Sequence, residues 1–323
     1  MIVFLIYVRN DFEYVNTIRA YQKDIELQLD FLKSFKKQKA LPNALKKNVI
    51  FSGSGDSLVS SMLAEVFSDG AVRAFDPLDL YRNKSLAKSN HVFFVSISGN
   101  TITNVKVALI AKRSTAITAK SQSRLAKASD EMILLSAPSS NNSNDGDDDV
   151  FTAGSISFLE STLTCISLVK NFKMPDYEHI FRSARTAAKK AKPSRRTYVL
   201  GNMLTFPLAM YCTAKFYEVM GYDAHYCRIE QFSHMELFSA TKGDSVIIFE
   251  EKNSHNMQLA RNLKKIGMNV IHPDVPTGKI SQMLYCTFFS QFVSLFEAQR
   301  KSKRDCYFVT AKTIRNASND MIY

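Results

Sequence analysis

Apolar residues recur at helical spacing over residues 15–37, where Ile18, Tyr21, Ile25, Leu29, Leu32 and Phe35 are separated by charged positions. That pattern predicts an amphipathic helix. It stops at Leu41-Pro42-Asn43, and the period then changes. Residues 48–51, 71–75, 91–96, 114–118 and 131–135 are short apolar runs that predict strands, while 57–67 and 100–113 predict helices. Such alternation argues for a parallel, doubly wound sheet. Residues 136–149 are Ser, Asn and Asp without periodicity and predict a loop. Residues 158–172 are apolar enough for a buried helix, and Tyr177–Lys190 for a basic, amphipathic one. Lys192-Pro193-Ser194-Arg195-Arg196 predicts a linker, after which the order restarts. The second series is strand 197–200, a turn at Gly201, helix 207–220, strand 244–249, helix 255–266, strand 268–271 and a long apolar helix 279–299. The expected class is α/β, with two doubly wound, flavodoxin-like parallel-sheet domains at 47–175 and 195–323 behind a helical segment at 1–46.

Composition narrows the function classes. Hydrophobic residues make up 46% and charged residues 22%, enough for a sizeable core in a soluble chain. The net charge of +12 favours anionic partners without choosing among phosphorylated metabolites, nucleic acid and acidic surfaces. The basic run at 189–196 lacks interleaved aromatics or a reading helix, so no nucleic acid is expected. Five scattered cysteines without a CxxC pair fit a reducing cytoplasm, and six scattered histidines offer no metal grouping. Asp145-Gly146-Asp147-Asp148-Asp149 lacks the spaced ligands of an EF-hand and reads as a solvated loop. No metal or other cofactor is expected. The apolar start, residues 1–8, is far short of the ~20 residues that span a bilayer and predicts a buried strand or docking segment. Helix 279–299 is interrupted by Gln282, Ser290, Gln291 and Glu297, so it predicts core or dimer interface rather than membrane.

The chemistry concentrates in loops at strand ends. Strand 91–96 delivers Ser96-Ile97-Ser98-Gly99-Asn100-Thr101 onto a helix start. Three hydroxyls, a glycine and free helix-terminal amides make a phosphate cradle that needs no lysine; the alternative is an ordinary Ser/Thr cap on a βα turn. Gly55-Asp56-Ser57 also ends a strand and opens a helix, and Ser121-Gln122-Ser123 follows a third strand. Three polar loops thus lie at successive carboxyl ends, where doubly wound sheets bind ligands.

These motifs resemble the sugar-isomerase (SIS) family over residues 47–315. Gly53-Ser54-Gly55-Asp56-Ser57 matches its Gly-x-Gly-x-Ser, Ser96 to Thr101 its Ser-x-Ser-Gly-x-Thr, and Ser123-Arg124-Leu125 through Ser129-Asp130 its third motif. Lys215-Phe216-Tyr217-Glu218 is similar to the Lys-x-x-Glu helix in the isomerase part of glutamine–fructose-6-phosphate aminotransferase. In that family the Glu is the C1–C2 base, and a ring-opening His lies sixteen residues on, here His234. Archaeal phosphoglucose/phosphomannose isomerases keep the same spacing. Aldose–ketose interconversion needs one group to open the ring and another to reach both carbons of an enediol, and an imidazole and a carboxylate meet those needs.

The resemblance implies a cytoplasmic aldose–ketose isomerase acting on a hexose 6-phosphate. Its phosphate is expected at Ser57, Ser96, Ser98, Asn100 and Thr101, with Gly55, Ser123 and Glu236 beside the sugar. Glu218, His234, Lys215 and Lys312 are the expected catalytic set, with His234 supplied across a homodimer interface. On spacing alone, Glu218 reads equally as a solvated helix residue and Lys215 as a surface lysine; the resemblance makes Lys215 a substrate-side group. The chain departs from the family at Ile97 (Gln or Tyr), at Ile156 (Lys) and at His234-Met235-Glu236 (His-Gly-Pro). Lys312 stands for the family's C-terminal lysine, in different flanking sequence. The 323 residues include no glutaminase domain. Amination would therefore draw ammonia from a separate glutaminase partner, or the reaction would run as deamination. A non-catalytic phosphosugar sensor is the third possibility, motivated by Ile97 and Ile156.

Overall fold

A computed structural model of the chain describes residues 16–136 and 152–322. The expected segment at 1–8 and the acid-rich stretch at 145–149 lie outside these residues. The first helix, α1 (Thr17–Ser34), begins where Asn16 accepts a hydrogen bond from the Arg19 amide at 3.0 Å. A short α2 (Asn43–Lys46) leads into the first sheet. Its strands are β1 (Val49–Ser52), β2 (Arg73–Phe75), β3 (His91–Val95), β4 (Arg113–Thr118) and β5 (Glu131–Leu134). The intervening helices are α3 (Asp56–Phe67), α4 (Pro77–Arg82), α5 (Lys84–Ser89), α6 (Ile102–Ala108) and α7 (Arg124–Ala128). All pairings are parallel, in the order β2-β1-β3-β4-β5. The helix expected over 100–113 is shorter. It starts two residues after Gly99-Asn100, and Arg113 belongs to β4, where it pairs with Glu131.

Two helices, α8 (Ile156–Val169) and α9 (Tyr177–Lys190), precede the second sheet. In α8, thirteen of fourteen residues are buried, among them Glu160 and several Ser and Thr side chains beside the apolar ones. The second sheet holds β6 (Arg196–Leu200), β7 (Asp223–Cys227), β8 (Ser245–Ile248) and β9 (Asn269–Ile271), parallel throughout in the order β7-β6-β8-β9. Helices α10 (Thr205–Lys215), α11 (Ile229–His234), α12 (Ser254–Lys265), α13 (Lys279–Arg300), α14 (Tyr307–Thr310) and α15 (Lys312–Ile322) complete the chain. Arg196 opens β6 rather than closing a linker, because its guanidinium is held by Asp223 of β7 at 2.7 Å.

The sequence pattern did not predict β7. Asp-Ala-His-Tyr-Cys carries no large aliphatic side chain and only a short alternation, and the strand pairs in register with β6. The expected helix over 207–220 changes character within its span: α10 gives way to a π-helical turn, Phe216–Met220, closed by Gly221 at φ 66°. A Cβ there would lie 2.6 Å from the Tyr307 ring of α14. One hydrophobic cluster runs from α1 through β1, α3 and α8 to α10 and α13. Several polar groups inside it are paired: Ser60 with Ser161 and Thr162, Gln28 with Gln291, and Tyr21 with Ser294.

Candidate functional site

The π-helical turn places Glu218 one turn beyond Lys215. Lys215 has no exposed surface. Its ammonium donates to Glu218 Oε2 at 2.5 Å, to Asp56 Oδ2 at 2.8 Å and to the Gly154 carbonyl at 3.1 Å. An ammonium has three donors, and all three are used. The Tyr211 ring lies 4.8 Å away, and its hydroxyl also donates to the Gly154 carbonyl. Burial disfavours the charge, but Asp56 and Glu218 outweigh it and hold the Lys215 pKa above the ordinary lysine value. The surface position that spacing suggests for Lys215 is therefore corrected: it is an internal cation that fixes two carboxylates.

Glu218 retains 35% of its side-chain surface, so the side chain is partly exposed. Burial of the remainder raises its pKa; Lys215 opposes the shift and Asp56 adds to it, leaving a value of about 7. A carboxyl group with these neighbours can hold or release a proton near neutral pH. Asp56, the first residue of α3, was not singled out in the sequence. The available signal was an acid at the variable position of Gly53-Ser54-Gly55-Asp56-Ser57. Gly154 is also required, since a Cβ there would lie 2.5 Å from Asp56 Oδ2.

The polar loops leave neighbouring strands β1, β3 and β4 at their carboxyl ends. Gly55 adopts φ 58°, ψ −129°, a conformation open to glycine, and starts α3. Ser57 follows in the first turn, with no hydrogen bond to its hydroxyl among the described residues. In the next loop the Gly99 amide donates to Ser96 Oγ at 3.2 Å and the Asn100 amide to Ser98 Oγ at 3.4 Å. Thr101 occupies the N-cap of α6, yet its side chain does not cap the helix. Gly99, at φ 62°, lets the next loop approach: a Cβ would stand 2.1 Å from Ser123 Oγ. Ser123 itself caps α7, accepting from Ala126 at 3.3 Å. Arg124 donates to the Asn100 carbonyl at 2.7 Å and ties the two loops together.

The corresponding turn of the second sheet carries its own anion. Glu250, just past β8, accepts from the Asn202 amide at 2.8 Å and from the Thr205 hydroxyl. A carboxylate of the chain thus occupies a polar turn whose counterpart in the first sheet holds serines.

The remaining expected residues are not drawn into this cluster. His234 ends α11 with 73% of its side chain exposed, 3.9 Å from Glu230. Glu236 lies beside Cys227, whose thiol burial and this carboxylate push up to about 12. Lys312 is exposed on the first turn of α15, without a polar partner among the described residues. Ile156 is fully buried in α8, and Ile97 packs on the same core. Among the described residues no three His, Cys, Asp or Glu side chains converge as a metal site, and no helix is long and apolar enough to cross a membrane.

Two parallel sheets, with polar loops at the carboxyl ends of the first, define a doubly wound α/β fold. Among solved structures, the chain is similar to glucosamine-6-phosphate deaminase from Thermotoga maritima, at 17% identity and TM-score 0.71, over 89% of this chain and 95% of that one. It is similar to the C-terminal domain of glucosamine-fructose-6-phosphate aminotransferase from Francisella tularensis, at 14% identity and TM-score 0.65, over 90% and 98%. Tagatose-6-phosphate ketose/aldose isomerase from Escherichia coli superposes at 17% identity and TM-score 0.61, over 87% and 89%. At these identities the likeness is one of fold. No protein-family model matches the chain, and no curated protein matches it.

Proposed function

We propose that the chain is a phosphosugar-binding aldose–ketose isomerase acting on a hexose 6-phosphate. One observation carries the reading: a partly exposed Glu218 is locked by a buried Lys215 to Asp56, the first residue of α3. In this reading Ser57, Ser96, Ser98, Asn100 and Thr101 hold the phosphate, with Gly55, Ser123 and Glu236 toward the sugar. Glu218 takes the proton from C2 of the open-chain aldose and returns it to C1 through an enediol. Lys215 acts through Glu218 by fixing its orientation and charge. His234 opens the ring from a second copy of the chain, and Lys312 belongs to the same proposal as a C-terminal closing residue. Residues 47–175 and 195–323 are its two halves. The names of the similar structures and the net charge of +12 support a phosphorylated sugar.

A second reading keeps the site and changes the chemistry to amination or deamination at C2, with ammonia free or supplied by a separate glutaminase. The similarity to a glucosamine-6-phosphate deaminase favours it. Incubation with fructose 6-phosphate, with and without ammonia, separates the readings by product. Glucose or mannose 6-phosphate without ammonia is the expected result. Glucosamine 6-phosphate formed only with ammonia selects the amino branch. Binding without any product selects a sensor, in line with Ile97 and Ile156. Glu218→Gln should lower turnover by at least about a hundredfold while substrate still binds; near-full turnover in that variant would exclude Glu218 as the base.

A further inference from the structure

Lys215 meets more negative charge than it can neutralise. Its single ammonium serves two carboxylates, Glu218 at 2.5 Å and Asp56 at 2.8 Å, and its third donor goes to the Gly154 carbonyl. A buried lysine needs one carboxylate for charge balance, so one of the two is surplus. Glu218 follows from its place one turn along the same helical run. Asp56 does not. It comes from the start of α3, 159 positions away, and the chain makes room for it: a Cβ at Gly154 would lie 2.5 Å from Asp56 Oδ2.

Placing a carboxylate there is unfavourable. Asp56 Oδ1 is buried and has no partner among the described residues. Such an oxygen carries a desolvation cost that native structures tolerate at few positions. An asparagine would accept the same bond from Lys215 without a charge, so what the position gains from aspartate is the charge itself. Oδ1 is closed off from solvent and makes no substrate contact. The charge therefore acts on Lys215 and, through it, on Glu218.

Tyr21 of α1, Tyr211 of α10 and Cys306 ahead of α14 face these three groups, and all are neutral at pH 7. Burial pushes both tyrosines above their ordinary range and the Cys306 thiol up to about 11. Lys215 and Asp56 thus set the charge balance at Glu218. Paired with Lys215 alone, Glu218 would be a fully compensated carboxylate and a weak base. Asp56 removes part of that compensation and repels a second negative charge, which raises the proton affinity of Glu218.

We propose that Asp56 is a positioning residue of the candidate site: it shares the Lys215 ammonium so that Glu218 remains a working base, and it does not touch the substrate. The proposal rests on the reading of Glu218 as the proton-transferring group.

Carbon-13 NMR of the full chain, labelled at the glutamate carboxyl carbons, tests it without turnover. The Glu218 signal is the one missing from Glu218→Gln. In the wild type it should titrate near pH 7. In Asp56→Asn, which keeps the shape and the bond to Lys215, it should titrate at least about one pH unit lower, because the ammonium then serves one carboxylate. Asp56→Glu keeps the charge and should keep the wild-type midpoint. In Asp56→Asn the acid limb of the turnover profile should move down with the NMR midpoint. The plateau above it should fall about three- to tenfold, since a weaker base transfers the proton more slowly, with KM unchanged. An unchanged Glu218 midpoint in folded Asp56→Asn would overturn the proposal. So would a raised KM with the midpoint in place, which would make Asp56 a substrate contact. Failure of both Asp56→Asn and Asp56→Ser to fold would make it a structural residue and overturn the proposal too. If the wild type turns over no hexose phosphate, the isomerase reading falls separately, and the NMR midpoints still decide whether Asp56 governs Glu218.

Discussion

Glu218 links stability and activity to the same proton, with opposite signs. Burial raises its pKa from 4.5 to about 7 in the folded chain. The folded state therefore binds a proton that the unfolded state has already released between those values. The stabilisation is fully present below pH 4.5 and is lost as pH rises through about 7. Urea denaturation across this window should show the wild type losing stability relative to Glu218→Gln, which has no proton to release. Turnover should move the other way, rising through pH 7, because a general base must be unprotonated. A flat stability difference between the two proteins from pH 4.5 to 7.5 would place the Glu218 pKa at its ordinary value.

At the scale of elements, the Ser96–Thr101 loop depends on how closely the loops after β3 and β4 approach. Gly99 carries that approach, through its positive φ and the lack of a Cβ facing Ser123. In Gly99→Ala the new methyl meets Ser123 Oγ and Cβ at 2.1 and 2.5 Å, and Thr118 Oγ1 at 2.9 Å. Something must move, and the contact from the Leu125 amide to the Gly99 carbonyl, 2.9 Å, is the nearest restraint to give way. Phosphosugar affinity should fall at least about tenfold, with a loss of roughly 1–3 kcal/mol in folding stability. Calorimetry and a urea melt read the two effects. Unchanged affinity in a folded Gly99→Ala protein would remove this loop from the phosphate site. This element was legible in the sequence because a strand, a Ser-Gly turn and a helix follow one another within a dozen residues. The π-helical turn was not, since one extra backbone residue per turn leaves the apolar pattern of 207–220 almost unchanged.

For the whole molecule, His234 decides how many chains make a site. It stands on the surface, on a segment that follows the edge strand β7 and also exposes Met235 (56%) and Phe238 (86%). Apolar groups of this size in one region mark an association surface. If His234 acts across such a surface, Phe238→Glu should shift the chain from dimer to monomer in light scattering. It should also slow turnover of the cyclic sugar by at least about tenfold, with phosphosugar binding retained. A Phe238→Glu protein that stays dimeric, or a monomer with full turnover, would argue against a shared site. The sequence by itself determined the α/β class and the polar loops at strand ends, because each follows from local periodicity; it pointed to Lys215 and Glu218 only through the family resemblance. Only the tertiary structure decided the rest. It brought Asp56 to Lys215 across 159 positions, buried that lysine, and made β7 a strand by pairing it with β6. These features depend on which strands lie side by side and which helix faces meet, and no local pattern of apolar and polar residues specifies that.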